Sequence, residues 1–321
     1  MRARVERGRV TIPVIVGPTA AGKSAVALNV ASRLGAEIVS ADSRQVYKFM
    51  DIGTAKPTLE ERALVPHHLI DIRQPDEYYS AGEYARDAAA AVAGILARGR
   101  FPIVVGGSGF YIKALVDGLF GPKVADPALR ARLRQEAQDL GVQALWQRLA
   151  DVDPVSAACL HPNDAQRIIR ALEVYESTGV PISLHQARHR PEPSFGWHFL
   201  GLRWPRQELY ARIERRVDEM MAEGLEQEVR QLLALGYDER LVSLRTVGYK
   251  EMFAFIRGEL SLEEAVVQIK QHTRNYAKRQ MTWFRRDARV GWVDVNEAEG
   301  LAQAERQVEE IIARYIGEFS S

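Results

Sequence analysis

The octapeptide Gly17-Pro-Thr-Ala-Ala-Gly-Lys-Ser24 has the form G-x-x-x-x-G-K-[ST], which is typical of a phosphate-binding loop. A short apolar, β-branched run at 12–16 precedes it, and residues 25–34 contain few helix breakers, so the pattern predicts strand, loop and helix. The two glycines allow backbone N–H groups to approach an anion at the helix N-terminus. The sequence therefore predicts a bound di- or triphosphate. It leaves open whether a phosphate is transferred, hydrolysed or expelled.

The bulk composition is that of a globular protein that needs no disulfide. The chain has 321 residues, enough for two lobes, and its net charge of +1 restricts any polyanion site to a local patch. Its single cysteine, Cys159, excludes an intramolecular disulfide and a cysteine-rich metal site, and we expect it to be a small buried residue. No apolar run approaches the length of a membrane span, and no secretory signal is evident. We therefore expect a cytoplasmic protein.

A second strand is predicted at 37–42, ending in Asp42-Ser43-Arg44-Gln45. Ligands of open α/β sheets bind beyond the carboxyl ends of the strands, so the topology places Asp42 near the phosphate loop. Its carboxylate could hold a metal through water or accept a proton, and it could equally cap a turn. The pattern alone does not choose between these roles.

Two more short strands are predicted, at 69–72 and 101–105. His67 and His68 precede the first, and adjacent strand residues point to opposite faces, so they make a poor metal pair. The second strand is followed by Gly106-Gly107-Ser108-Gly109, a glycine turn at a strand's carboxyl end. Its Ser108 hydroxyl could reach the phosphate site, although a tight turn alone would also account for the glycines.

The pattern becomes helical from 126 to 186, with Asp126-Pro127 as a helix start and Asn163 as a second cap. Strand character returns at 197–202 and 291–295, with long helices between and after them. We therefore predict an α/β fold: a P-loop NTPase-like parallel sheet core with a helical insertion domain and C-terminal helices. The expected domains are 1–120 with 197–321, and 121–196.

Three sets of arginines and lysines lie outside the loop motifs. Arg167 and Arg170 share a helix face with acidic neighbours, which favours a salt-bridged surface. Arg212 and Arg216, four residues apart, could point at one anion. Residues 270–289 carry seven lysines and arginines against one acid, interleaved with Tyr276, Trp283 and Phe284. That mixture suits a nucleic-acid backbone and unstacked bases, and a solvated cationic helix face remains the alternative.

Several motifs together resemble the tRNA dimethylallyltransferase (tRNA isopentenyltransferase) family from about Thr11 to Trp292. Besides the phosphate loop, in order, they are Asp42-Ser-Arg-Gln-Val-Tyr47, Met50-Asp-Ile-Gly-Thr-Ala-Lys-Pro57, Val105-Gly-Gly-Ser108, His161-Pro-Asn-Asp-Ala-Gln-Arg167, Arg170-Ala-Leu-Glu-Val174, Val247-Gly-Tyr249 and Ala277-Lys-Arg-Gln-Met-Thr-Trp-Phe-Arg285. Each alone indicates little beyond phosphate binding, and the ordered set is specific.

The resemblance implies that the loop holds the diphosphate of dimethylallyl diphosphate and that the acceptor is N6 of the adenosine 3′ of the anticodon in tRNA. It implies Mg²⁺ on Ser24. The implied catalytic residues are Asp42, Ser108, Lys23, Arg212 and Arg216. The implied diphosphate-binding residues are Gly17, Pro18, Thr19, Ala20, Ala21, Gly22, Lys23, Ser24 and Arg130. The implied tRNA-binding residues are Asp42, Ser43, Arg44, Gln45, Gln166, Arg167, Ile168, Ile169, Arg170, Lys278 and Arg279.

Two positions depart from the resemblance. The family usually has threonine where this chain has Ser108, which keeps the hydroxyl, and the residue at Arg44 varies. An adenylate isopentenyltransferase acting on a free nucleotide, and a small-molecule or nucleotide kinase, remain the alternative functions. We expect a monomer.

Overall fold

A computed structural model describes residues 9–119, 126–188 and 195–320. Its strands are β1 (Thr11–Val16), β2 (Glu37–Ser40), β3 (His67–His68), β4 (Pro102–Gly106), β5 (Gly196–Arg203) and β6 (Val290–Asp294). Its helices are α1 (Lys23–Leu34), α2 (Leu59–Leu64), α3 (Ala81–Ala97), α4 (Gly109–Val116), α5 (Pro127–Asp139), α6 (Val142–Val152), α7 (Pro154–Cys159), α8 (Ala165–Thr178), α9 (Ile182–Arg188), α10 (Arg206–Glu223), α11 (Leu225–Ala234), α12 (Tyr249–Ile256), α13 (Leu262–Arg285) and α14 (Gly300–Ser320).

The six strands form one sheet in the order β3-β2-β4-β1-β5-β6, and every neighbouring pair is parallel. Strands β1, β2 and β4 are buried along nearly their whole length, because helices cover both faces of the sheet. This confirms the predicted parallel α/β core.

The register of the three central strands aligns their carboxyl ends. Ser40 pairs with Val105, and Val16 pairs with Gly106, so β2, β4 and β1 end at the same level of the sheet. The segments that follow these strands therefore emerge side by side at one edge, where ligands bind in folds of this type.

The chain divides into two compact units. One contains the described residues of Met1–Asp117 and Pro193–Ser321, and the other those of Gly118–Glu192. The second unit consists of α5 to α9 around its own apolar core, which includes Leu133, Leu149 and Ile168. A second core of this kind is what lets an inserted segment fold as a compact body.

Three local predictions are wrong. The third strand lies at His67–His68 rather than 69–72, because Leu69 and Asp71 take positive φ angles of 66° and 56°, which no strand accommodates. Asp164, whose carboxylate accepts from Arg167 N, caps α8 in place of Asn163. Cys159, the last residue of α7, is exposed instead of buried.

The segment from Met50 to Pro57 is fastened to the core by a buried carboxylate. Glu228 accepts hydrogen bonds from the N–H groups of Asp51, Ile52 and Gly53 at 2.8, 2.7 and 3.1 Å. The buried ammonium of Lys56 donates to Tyr47 O at 2.8 Å. These bonds hold the backbone of the segment in one conformation against the core.

No described helix has the length and apolar character that crossing a bilayer requires.

Candidate active site

The phosphate loop requires glycine at its first position. Gly17 has a φ of +144°, and a Cβ there would lie 2.9 Å from Leu202 O on β5. Any side chain would therefore separate β1 from its neighbouring strand. Gly22, with φ +87°, turns the chain into α1, whose first-turn N–H groups have no intrahelical partner and can meet an anion.

Neighbouring elements hold the backbone of the loop from outside. Ala21 O accepts from Trp204 Nε1 at 3.0 Å, and Ala20 O accepts from Arg212 Nε at 2.9 Å. Thr19 N donates to Gln280 Oε1 at 2.8 Å. These three bonds use backbone groups at 19–21 and so preorganise the loop before any ligand binds.

A cationic pair adjoins the loop. Burial and the neighbouring Arg216 lower the pKa of Lys23 from 10.5 to about 8, while Asp42 opposes the shift. Burial also lowers the pKa of Arg216, and Asp42 is the largest opposing influence. Lys23 Nζ donates to Pro18 O at 2.7 Å. The two cations are close enough to repel each other, so the site favours a multiply charged anion.

We expect diphosphate binding to weaken as the pH rises through about 8. The ammonium of Lys23 is present below its pKa of about 8 and is lost above it, so the attraction for the anion falls on the alkaline side. Isothermal titration with inorganic pyrophosphate between pH 7 and 9.5 measures this. The Lys23→Arg variant stays charged over that range and is the control. If pyrophosphate affinity fell equally in both proteins as the pH rose, the decline would not come from Lys23.

Asp42 lies beside the loop and serves a turn at the same time. Its Oδ1 accepts from Arg44 N at 2.8 Å and from Gln45 N at 3.4 Å. Within the described part of the chain, no hydrogen bond is made to its other oxygen, Oδ2. One oxygen therefore fixes the carboxylate and leaves the other to accept a proton or bind a metal. The capping role and the chemical role that the sequence left open are compatible.

Ser108 links the turn that follows β4 to the turn that follows β2. Its Oγ accepts from Ser43 N at 2.9 Å, and its own N–H donates to Ala41 O at 3.2 Å. The turn after β4 is thus bonded to the turn that contains Asp42. The structure brings Asp42, Ser108 and Lys23 to one edge of the sheet, as the sequence predicted.

Tyr276 on α13 was missed as a site residue by the sequence reasoning. Burial, and next the charge of Asp42, raise its pKa to about 12, while the neighbouring Ser108 hydroxyl opposes the shift. The phenol therefore lies close to both side chains and is protonated at neutral pH. The sequence offered only an aromatic residue in a basic helix, which does not identify its neighbours.

Three other side chains predicted on the core unit, those of Arg212, Arg44 and Gln45, have partners within the protein. The Arg212 guanidinium lies 4.3 Å from the Trp204 ring centroid as well as bonding to Ala20 O. Arg44 donates to the carbonyls of Val242 and Ser243, both at 3.1 Å. Gln45 is buried and donates to two backbone carbonyls of the Met50–Pro57 segment. Arg212 and Gln45 thus stabilise loop backbones, and Arg216 is the arginine that neighbours Lys23.

In the insertion, Glu173 is fully buried and accepts from Arg130 Nη2 at 2.9 and 3.0 Å and from Arg170 Nη1 at 2.8 Å. Arg167 pairs with Asp164 at 3.1 Å. This agrees with the salt-bridged face expected from the sequence. The diphosphate contact predicted for Arg130 stays a prediction.

Ile168 and Ile169 do not fit the RNA-binding role given to them. They are 0% and 7% exposed in the insertion core, so their side chains face other helices and not solvent. Gln166 and Arg167, which precede them on the same helix, are exposed. Phe284, expected among the RNA-facing aromatics, is likewise buried at 2% exposure.

The outer face of α13 forms an open concavity of about 430 Å³. Its lining residues are Asn275, Lys278, Arg279, Thr282, Trp283 and Arg286. Lys270, Arg274 and Arg289 pair with carboxylates, whereas Lys278, Arg279, Arg285 and Arg286 have no carboxylate partner among the residues described. Cations without acidic partners, beside an exposed tryptophan, are what an RNA strand requires.

The parallel sheet, the preorganised phosphate loop and the adjacent carboxylate define an α/β protein of the phosphate-binding-loop class. The family model of IPP transferases matches residues 45–287. The chain belongs to the IPP transferase family.

Relatives and solved structures agree over nearly the whole chain. The tRNA dimethylallyltransferase of Syntrophobacter fumaroxidans is 50% identical, over 92% of this chain and 87% of that one. That of Symbiobacterium thermophilum is 49% identical, over 95% of each. The tRNA isopentenylpyrophosphate transferase structure from Bacillus halodurans is 40% identical with a TM-score of 0.71, covering 97% and 98% of the two chains. A eukaryotic dimethylallyltransferase acting on tRNA gives 28% identity and a TM-score of 0.82, covering 96% and 80%.

Proposed function

We propose that this protein transfers a dimethylallyl group from dimethylallyl diphosphate to N6 of the adenosine 3′-adjacent to the anticodon in tRNA. The observation that carries the proposal is the meeting of a preorganised phosphate loop with a carboxylate, Asp42, that keeps one oxygen available. The near-complete coverage by relatives named tRNA dimethylallyltransferase supports the same function.

The transfer is a displacement at the allylic carbon. The N6 nitrogen forms a bond to C1 of the dimethylallyl group, the C1–O bond breaks, and diphosphate leaves with the bonding electrons. The proton of the amine passes to Asp42 Oδ2. Because an adenine amine is a weak nucleophile, orientation contributes as much as proton removal. Asp42 is held for this by the Arg44 and Gln45 amides.

The leaving group is stabilised by fixed positive charge. Lys23, Arg216 and the first-turn amides of α1 would surround the diphosphate as negative charge grows on it. The Ser108 hydroxyl, which already accepts from Ser43 N, has its own hydrogen to donate to a diphosphate oxygen. These groups are in place before the reaction, so little reorganisation is needed.

Ser24 suits the hard oxygen coordination that Mg²⁺ prefers. It is exposed at the start of α1, and no hydrogen bond engages its hydroxyl within the described ranges. One protein hydroxyl with diphosphate oxygens and waters is a usual set for this ion. Bound there, Mg²⁺ would supply further charge stabilisation to the diphosphate.

The RNA would bind along the exposed face of α13, with Lys278 and Arg279 on phosphates and Trp283 available for stacking. Gln166, Arg167 and Arg170 of the insertion would hold the anticodon loop, and Ser43 with Gln45 would border the reacting base. The target adenine must leave the loop stack to reach Asp42. One chain supplies the phosphate loop, Asp42 and the basic helix, so we infer that a monomer suffices for the reaction. Because its proposed substrate is tRNA, we infer that it acts in the cytoplasm.

Lys278→Ala should weaken binding of an anticodon stem-loop and reduce the slope of log Kd against log salt by roughly 0.7 to 0.9, the value of one phosphate contact. Fluorescence anisotropy between 50 and 300 mM salt measures this. Lys250→Ala removes an exposed lysine that pairs with Glu251 and is the control. An unchanged slope for the Lys278 variant would exclude the contact.

Acceptor choice tests the function. The protein is incubated with alkyl-labelled dimethylallyl diphosphate and either an unmodified anticodon stem-loop or AMP. We expect label on the stem-loop and none on AMP. Label on AMP alone would establish an adenylate isopentenyltransferase instead. ATP-dependent phosphorylation of a small molecule, without alkyl transfer, would establish a kinase.

A further inference from the structure

Helix α13 has two functional faces. One is the exposed basic concavity that contains Lys278, Arg279 and Arg286. The other is buried against the edge of the sheet and presents Tyr276 and Gln280 to the phosphate loop and the Ser108 turn. One rigid element therefore contacts the diphosphate site on one side and solvent on the other.

Gln280 lies on the buried face of α13 and contacts both the phosphate loop and the glycine turn that contains Ser108. It is 7% exposed, and its Oε1 accepts from Thr19 N at 2.8 Å. Its Nε2 donates to Gly107 O at 3.0 Å. The amide supplies one acceptor and one donor, and the two backbone partners fix which way it is oriented. Gln280 thus satisfies one backbone group in each loop.

Helix α13 packs tightly against the glycine turn that follows β4. A Cβ at Gly107 would lie 2.3 Å from Gln280 Nε2, and a Cβ at Gly109 would lie 2.3 Å from Trp283 Cδ1. The helix therefore rests directly on the backbone of the glycine turn. A shift of α13 would move the turn that holds Ser108, and through Thr19 the phosphate loop as well.

We propose that Gln280 is a positioning residue that sets the phosphate loop and the Ser108 turn in register with the basic helix. Through it, RNA bound on the outer face of α13 is held at a fixed position relative to the diphosphate. The proposal rests on the proposed function, because it takes the ligand of the loop to be a diphosphate. It assigns Gln280 no contact with either substrate.

Gln280→Met, which keeps the side-chain length and removes both bonds, should weaken binding of inorganic pyrophosphate about tenfold, the factor that one net hydrogen bond contributes. Calorimetric titration with pyrophosphate, in buffer that contains Mg²⁺, measures this affinity. The midpoint of thermal unfolding is measured as well, to show whether the variant is folded. Gln271→Met is the matched control, since Gln271 is exposed on the same helix and, among the residues described, bonds only to Arg274 and Asn275 of that helix. Stem-loop affinity should stay within about twofold, because Lys278 and Arg279 are unchanged.

Gln280→Glu gives a second test that does not depend on a loss of folding. The ionised carboxylate repels Gly107 O, whereas the protonated acid can donate to it and still accept from Thr19 N. Pyrophosphate affinity, taken as a ratio to wild type at each pH, should recover as the pH falls toward about 5. A purely structural role would not produce that recovery.

The outcomes separate the two proposals. Failure of the wild-type protein to bind pyrophosphate would overturn the proposed function and this inference with it. Two results would overturn only the positioning role. One is a pyrophosphate affinity of Gln280→Met equal to that of the wild type. The other is a ratio of Gln280→Glu affinity to wild-type affinity that does not change with pH.

Discussion

Replacing Asp42 with asparagine should lower kcat for alkyl transfer at least about 100-fold, since a positioned general base contributes about 10² to 10⁴. Binding of the anticodon stem-loop should remain within about twofold. Single-turnover transfer to the stem-loop, with both substrates saturating, measures the first quantity, and anisotropy measures the second.

Asparagine is the informative substitution because of the turn that Asp42 caps. Its amide oxygen can still accept from the N–H groups of Arg44 and Gln45, so the backbone is kept while the proton acceptor is removed. Asp42→Ala removes both and serves as the comparison. A normal single-turnover rate in Asp42→Asn, with loss of RNA binding instead, would show that Asp42 orients the loop and takes no proton.

Lys23→Met should lower kcat/KM for dimethylallyl diphosphate by about 10² to 10³, the usual cost of removing one preorganised group that stabilises developing charge. The lysine lies at the head of α1, donates to Pro18 O of the phosphate loop at 2.7 Å, and has Arg216 as a neighbouring cation. Because the leaving diphosphate gains charge as the C–O bond breaks, we expect most of the loss in kcat. Steady-state kinetics at saturating stem-loop measure the division between kcat and KM.

The division between the two constants decides what Lys23 does. A rise in KM with unchanged kcat would show that the lysine binds the ground state and the transition state equally. Lys278→Ala is the matched comparison, since it removes a lysine from the proposed RNA face and should leave kcat at saturating stem-loop near the wild-type value.

The sequence predicted where Asp42 and Ser108 lie, because each position follows from a local pattern. The phosphate loop is a contiguous motif, and Asp42 and Ser108 directly follow strands whose parallel pairing brings them to one edge. Strand ends are readable from apolar runs, so the topological rule sufficed to bring these residues together. The insertion was visible for a similar reason, as a long helical pattern between strands.

Long-range contacts were beyond the sequence. Gln280 is 261 positions from Thr19, and helical periodicity shows that it shares a face with buried residues but not what that face contacts. A polar residue beside Ala277, Met281 and Phe284 was the only indication. The same limit explains Phe284, which was expected on the RNA side because it adjoins arginines and is in fact part of the core.

Backbone conformation explains why the strand predicted at 69–72 does not form there. The apolar residues at 69–72 are typical of a strand, yet Leu69 and Asp71 are left-handed. Asp71 there bonds to the buried ammonium of Lys56 and to Arg62, at 2.6 and 2.7 Å. Those ion pairs join segments that no local pattern connects, so they override the strand propensity of the sequence.

In the proposed reaction the phosphate loop binds a leaving group, and none of its phosphate is transferred to the RNA. The direct measurement uses dimethylallyl diphosphate labelled with ¹⁴C in the alkyl group and ³²P in the diphosphate, reacted with an anticodon stem-loop. We predict that all transferred ¹⁴C lies on N6 of one adenosine and that an equal amount of ³²P is released as diphosphate. Phosphorus-32 on the RNA, or released as orthophosphate without alkyl transfer, would show that the loop does not hold a diphosphate leaving group.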